Sequence, residues 1–328
     1  MREYVLVSSF VTNSEKLKRL EEQWAKRDKE HKTYLGRSTR QLKEINPEEF
    51  GGEVLLVDPY NLKKGFIKRF QCHLATGLMY VKEKKCLFVG SFGTIKKIIN
   101  GSIVGEIKNN LFNDVHFIDS FKDSYLLVSS TGTDSLIEID LNKDTKTWDW
   151  LGTENGYSTS PSGKIIKIDR KKDYRKIDTI TPEHTTHINS AIYINGKEEI
   201  LATLFHQGEL ILINKNVPGC KILLSGLKCP HHIRKTKAGY ILSNTLEGEV
   251  IFLDKKFNII KKMRGEFNWL QDAIELNDNS LLVIDSNNYR ICRLSCDGKI
   301  LEELSFKEKP LKLFCFLKID YKFIKNIF

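Results

Sequence analysis

Short apolar runs bounded by glycine or asparagine turns recur along this chain at a near-constant interval, and that recurrence narrows the folds open to it. Run 125–130 leads through a turn with Gly132 into 135–140. Run 200–203 leads through His206-Gln207-Gly208 into 209–213. Run 240–244 leads through Glu247-Gly248 into 249–254, and 280–286 leads through Asn287-Asn288 into 289–294. Runs of this length, rich in Val, Ile and Tyr and joined by such turns, read as strands in hairpins. A histidine heads the first strand of four units (His73, His116, His187 and His232), and Gln271-Asp272 stands at that place in a fifth. The successive spacings are 43, 71, 45 and 40 residues, so the long gap is one unit plus an insertion of about 30.

A period near 40 with about four strands per unit is the signature of a β-propeller. A sixth unit follows when the ends are joined: run 4–9 matches a second strand, 53–58 a third, 65–69 a fourth, and 311–317 supplies the first. The expected fold is all-β, a six-bladed β-propeller spanning 1–328 as one domain. Its last blade is closed by both termini, which protects the sheet edges. Two insertions are expected. One, 11–52, lies within the split blade and is partly helical: Thr12-Asn13-Ser14-Glu15 fits a capping box, and Leu17, Leu20 and Trp24 share one stripe. The other, 148–185, is a long loop before the third histidine unit. Residues 15–43 carry ten Lys/Arg against five acids, half of the net charge of +10, so the helical insertion reads as a basic lid.

Composition excludes several classes. The chain is 41% hydrophobic and 29% charged, ordinary for a packed domain. No run approaches the ~18 apolar residues of a membrane span. The opening residues lack a signal-peptide core, so a cytoplasmic location without membrane contact is the expectation. Seven scattered cysteines without a CxxC pair predict free thiols. The basic segment lacks the aromatic–basic interleaving of a nucleic-acid groove, so nucleic acid is not expected as a partner.

In a propeller the first strand of each blade lines the channel and starts on the face that carries the turns between second and third strands. The histidines, those turns and both insertions therefore meet on one face. His73, His116, His187 and His232, with Asp272, are candidate ligands for a divalent Fe, Mn or Zn ion. The competing reading is that each imidazole caps its own strand through backbone bonds. His187 and Asn189 lie two apart and so on one side of a strand. A histidine beside an amide donor suits proton or group transfer with a developing oxyanion. His116 joins them as a second catalytic candidate. Arg234, Arg290, His206 and Trp150 are candidate contacts for a small, anionic substrate. The alternative is a propeller that binds a ligand or a protein without catalysis. Interaction repeats of the Trp-Asp type are not evident, since Trp148-Asp149 occurs once and out of phase.

Thr186-His187-Ile188-Asn189-Ser190, followed by run 200–203, resembles the strand entry of the arylsulfotransferase-type propeller enzymes. The order Asp114-Val115-His116, His187-x-Asn189, Pro230-His231 is also similar to a family of uncharacterised bacterial propeller proteins. The resemblance spans about residues 70–300. It implies transfer of a sulfuryl group from an aryl sulfate to a phenolic acceptor, carried covalently by a histidine. That histidine maps to His187, with Asn189 beside it.

Overall fold

The computed structural model describes residues 3–30 (side chains to 22), 46–177, 179 and 181–328. Six four-stranded antiparallel sheets follow one another as blades, as the repeat predicts. The first strands of blades 1 to 5 are Leu78–Val81, Val115–Phe121, Ile188–Tyr193, Pro230–Lys235 and Leu270–Glu275. Blade 6 is the split one: Lys312–Asp320 from the C-terminal end pairs with Glu3–Val11, which pairs in turn with Glu53–Val57 and Phe66–Gln71.

Burial explains the sequence pattern. Neighbouring blades cover both faces of the inner strands, so Cys86–Gly90 and Leu281–Asp285 are buried at every position and read as continuous apolar runs. The fourth strands face solvent; Phe66–Gln71 and Ile259–Arg264 are mostly exposed.

A buried hydroxyl crosses every junction between blades and donates to an inner-strand backbone carbonyl of the next one. Thr76 donates to Val115. Thr131 donates to Ile188 at 2.6 Å, Thr203 to His231 at 2.6 Å and Thr245 to Leu270 at 2.8 Å. Ser286 donates to Leu313 at 2.8 Å and Ser8 to Thr76 at 2.5 Å, which closes the ring. Buried carbonyls at the inner strand starts thus find partners across the junction rather than within their own sheet.

The inner strands of blades 2 to 6 begin with β-bulges, and these reset the phase of the histidines. Register shifts leave His116 between paired Val115 and Phe117, and Asn189 between Ile188 and Ser190. They likewise leave His231 and His232 between Pro230 and Ile233, Gln271 between Leu270 and Asp272, and Phe314 and Cys315 between Leu313 and Phe316. The four expected histidines therefore do not occupy one repeat position. His116 is a bulge residue and His232 follows one. His187 precedes its bulge by two residues, at a left-handed φ of 50° shared by Asp114, Cys229 and Leu74. His73 stands before Leu74, outside the strand. A bulge adds a residue without changing the apolar pattern around it, so alignment on residue type slips by one or two.

The described parts of both insertions lie at the mouth, the channel end where the inner strands start. The helix Ser14–Glu30 is capped by Asn13, whose Oδ1 accepts the Lys16 N–H at 3.1 Å. Leu17 is buried. Tyr289 Oη donates to Glu21, and Lys312 Nζ lies 3.6 Å from the same carboxylate, so the helix is tied to the rim at blades 5 and 6. Trp24 and the basic residues 31–45 lie outside the described side chains. In the second insertion, Trp148 to Leu151 belong to the fourth strand of blade 2, Thr145–Leu151, so the long connection starts at Gly152. None of the seven cysteines is in a disulfide, and among the described residues no helix is long and apolar enough to cross a membrane.

Candidate active site

The bulges aim rings from several blades at one place. His187, His116, Phe314, His232, His231 and Phe205 form a closed circuit of ring contacts, with successive centroids 5.2, 5.0, 5.7, 6.5, 5.5 and 4.8 Å apart. His184 stacks on His187 with an interplanar angle of 16°, His206 lies 5.6 Å from His187, and Trp269 packs on His231 at 5.4 Å. Six imidazoles thus share one buried cluster. His187 is 6% exposed, and its cover includes His184 of the long connection, itself buried.

The backbone that carries His187 is held by one carboxylate. Asp134, at the turn between second and third strands of blade 2, accepts the N–H groups of Thr185 (2.6 Å), Thr186 (2.8 Å) and His187 (2.7 Å), and the Thr186 hydroxyl as well. Asp134 and His187 both sit at a φ of 50°. Left-handed backbone is costly for a side-chain-bearing residue and persists where surrounding bonds over-determine it.

Protonation differs across the cluster. Burial lowers the His116 pKa, but the Asp114 carboxylate 3.2 Å from Nε2 and the Asn189 amide overcome it and raise the group above its usual value. Asn189 Oδ1 lies 2.9 Å from His116 Nδ1, and Asn189 Nδ2 donates to the Pro230 carbonyl at 2.8 Å. The Asn189 amide is therefore occupied in orienting His116. His187 goes the other way. Burial, and then repulsion between its charged form and the neighbouring imidazoles of His184, His116, His206 and His231, hold it well below the usual histidine range. Burial also depresses His184, His231 and His232.

Beneath the mouth lies a second polar group. Ligand-type atoms of His232, Asp272 and Cys315 lie within 4.8 Å of one another, the one such trio among the described residues. A cation is already present there. Arg234 donates to Asp272 through Nε (3.1 Å) and Nη2 (2.5 Å), and reaches Cys315 Sγ at 3.3 Å and the Phe316 carbonyl at 2.8 Å. Asp272 also accepts the Phe316 and Ala273 N–H groups. Burial works to raise its pKa, but Arg234 and His232 prevail and hold it at about 2. A metal ion here would compete with the guanidinium for the carboxylate. His232 Nδ1 is 3.1 Å from Asp272 but poorly aligned, and both His232 nitrogens lack a hydrogen-bond partner.

The expected site residues therefore divide. His116, His187, His206 and Asn189 come together at the mouth, and His232 joins the ring circuit from below. Arg234 is half-buried and paired with Asp272. Arg290 pairs with Asp285 (2.9 Å) and Glu303 (2.8 Å) on the third strand of blade 5. Trp150 is on the outer strand of blade 2, beside a cavity of about 310 Å³ shared with Trp148 and Lys215. His73 makes no ring contact with the other histidines among the described residues, and its Nδ1 is buried without a partner. Unforeseen members are Asp114, Asp134, His184, His231, Phe205 and Trp269. The pair Asp114-x-His116, a carboxylate two residues from a histidine, was the one local signal among them.

No protein-family model matches the chain. No curated protein matches it in sequence. Solved structures do match in fold. A chain of the nidogen–laminin complex aligns over 96% of this chain and 98% of its own length at 9% identity, with a TM-score of 0.63. A protein of unknown function from Bacteroides caccae aligns over 97% and 99% at 12% identity, with a TM-score of 0.57. At such identities the likeness is one of fold.

Proposed function

We propose that the mouth is the active site of an enzyme that acts on a small anionic substrate by histidine-based group transfer. His187 is the nucleophile and His116 the proton donor. The observation that carries this reading is that both ring nitrogens of His116 face acceptors, Asp114 at 3.2 Å and Asn189 Oδ1 at 2.9 Å, while the buried His187 ring lies against it with centroids 5.2 Å apart. Burial and the surrounding imidazoles keep His187 neutral, with a lone pair to offer. Asp114 raises the His116 pKa and so favours its charged form. A base and an acid with separated pKa values in one buried site are the arrangement that acid–base and nucleophilic catalysis need.

The specific form of the reading is sulfuryl transfer, as the likeness at 186–190 implies. The His187 lone pair forms an N–S bond as the S–O bond to the aryl group breaks. The aryl oxygen leaves with the bonding pair and takes a proton from His116. A phenolic acceptor then gives its proton to the neutral His116 and attacks sulfur. The N–S bond breaks and the His187 lone pair returns. The imidazolium of His116 also supplies the positive charge that a sulfate monoester would meet.

The test uses 4-nitrophenyl sulfate with a phenol acceptor. Wild-type protein is expected to release 4-nitrophenol and to gain one sulfuryl mass when the acceptor is omitted. His187→Ala should lose both while keeping its thermal transition, and His116→Gln should slow release by about 10²–10⁴-fold. Release at an undiminished rate from His187→Ala would sink the proposal. Release that needs added Zn or Mn and is lost to a chelator would move the chemistry to a metal held by the neutral imidazoles. No turnover, with a ligand still bound at the mouth, would leave a binding propeller.

A further inference from the structure

We infer that His184 is the positioning residue of His187, and that it fixes the tautomer of His187 with a hydrogen on Nδ1 and a bare Nε2. This use of His184 rests on His187 being the reacting group; the tautomer itself does not.

The direction of every bond follows from the far end of a chain of four residues. Asn113 Nδ2 donates to the backbone carbonyls of Tyr174 and Ile177, each at 2.6 Å, so Asn113 Oδ1 is fixed as an acceptor. Thr179 Oγ1 lies 2.9 Å from that oxygen and must spend its one hydroxyl proton there. Thr179 therefore offers only a lone pair to His184 Nε2, also 2.9 Å away, and the His184 hydrogen sits on Nε2. Burial keeps the His184 ring neutral, so its Nδ1 has no hydrogen. The 2.7 Å contact between His184 Nδ1 and His187 Nδ1 is then made by the hydrogen of His187. His187 is neutral too, so this is its only ring hydrogen. Its lone pair is left on Nε2.

The chain is built into the fold. Gly132 approaches so closely that a Cβ there would stand 1.7 Å from Asn113 Oδ1 and 2.6 Å from Thr179 Oγ1. Asp134, two residues on, clamps the backbone from Thr185 to His187. A partner that holds a reactive histidine in one tautomer is the logic of a hydrogen-bonded dyad. Here the partner is a neutral imidazole, which avoids burying a second charge at rest. When His187 gains a proton or a sulfuryl group at Nε2, His184 Nδ1 accepts a stronger hydrogen bond and shares the positive charge.

Nitrogen-15 NMR of the full chain with labelled histidine, using two-bond couplings to ring protons, reads the tautomers directly. At neutral pH the expected result is hydrogen on Nδ1 of His187 and on Nε2 of His184. His184→Phe keeps the stacked ring but removes the acceptor, and should shift His187 toward the Nε2–H form. His184→Asn places an amide oxygen near the lost Nδ1 and should restore the original tautomer. If the Phe variant does not fold, Thr179→Val serves, since it frees His184 Nε2 and should scramble His187 in the same way. Hydrogen on Nε2 of wild-type His187, or an unchanged tautomer in both His184→Phe and Thr179→Val, would overturn the inference. For 4-nitrophenyl sulfate, His184→Phe should lower kcat about a hundredfold with little change in KM, and His184→Asn should recover most of it. An inactive wild type with the expected tautomers would remove the proposed reaction and leave the tautomer assignment standing.

Discussion

Asp272 and Arg234 illustrate how far a residue type alone can be read. Each was legible as chemistry: a carboxylate for a metal, a guanidinium for an anion. They sit 38 residues apart on inner strands of adjacent blades, and nothing local says that they face each other. The pair costs desolvation on both sides, and its remaining hydrogen bonds to backbone are what make the burial tolerable. Arg234→Met should therefore destabilise the fold by about 3–5 kcal/mol in urea titrations, because it strands the Asp272 charge. The double variant Arg234→Met/Asp272→Leu should recover much of that loss. A single-variant cost under about 1 kcal/mol would mean that the carboxylate finds water or a proton instead. By contrast, Asp114-x-His116 was readable in advance, since the partner is two residues away and the ion pair needs no tertiary contact to be suspected.

At the scale of elements, the strands and their order were written in the apolar runs, whereas the bulges were not. An extra residue at the inner-strand starts of blades 2 to 6 leaves the alternation on either side intact, so the histidines looked equivalent although His187 and His116 hold different backbone positions. His184 was hidden for another reason. It lies in a connection with no periodicity, and bonds to distant residues, those to Asp134, His206 and Gln207 among them, bring that segment onto the mouth. Asp134→Ala should release it: amide exchange at 185–187 should rise, with a stability loss of about 2–4 kcal/mol for the lost charged hydrogen bonds. Exchange there as slow as in wild type would show that packing, not the carboxylate, holds the loop. Thr131→Val tests a blade junction. It leaves the Ile188 carbonyl without its donor and should cost about 1–3 kcal/mol, read from the urea midpoint with an unchanged m-value.

For the whole molecule, the cluster makes folding sensitive to acid. His184, His187, His231 and His232 have folded pKa values below the usual one. The unfolded chain takes up their protons first, so stability falls as pH drops below about 6.5, by about 1.4 kcal/mol for each unit of depression. His116 acts in the opposite sense: its contribution is full below that pH and is lost as pH rises through its raised folded value. Four groups against one predict a net loss of unfolding free energy between pH 7 and pH 5, with a shallower slope in His187→Phe. A flat profile would contradict the buried neutral cluster. The ring itself has a further consequence in time. Its closing piece, Lys312–Asp320, is synthesised after every other described strand. Until it emerges from the ribosome, Glu3–Val11 has an unpaired edge and the blade 5 to blade 6 hydroxyl has no carbonyl to reach. A nascent chain must therefore keep five finished blades from pairing with strangers while it waits for its last nine residues of sheet, and cutting the chain before Lys312 should yield aggregate rather than a smaller propeller.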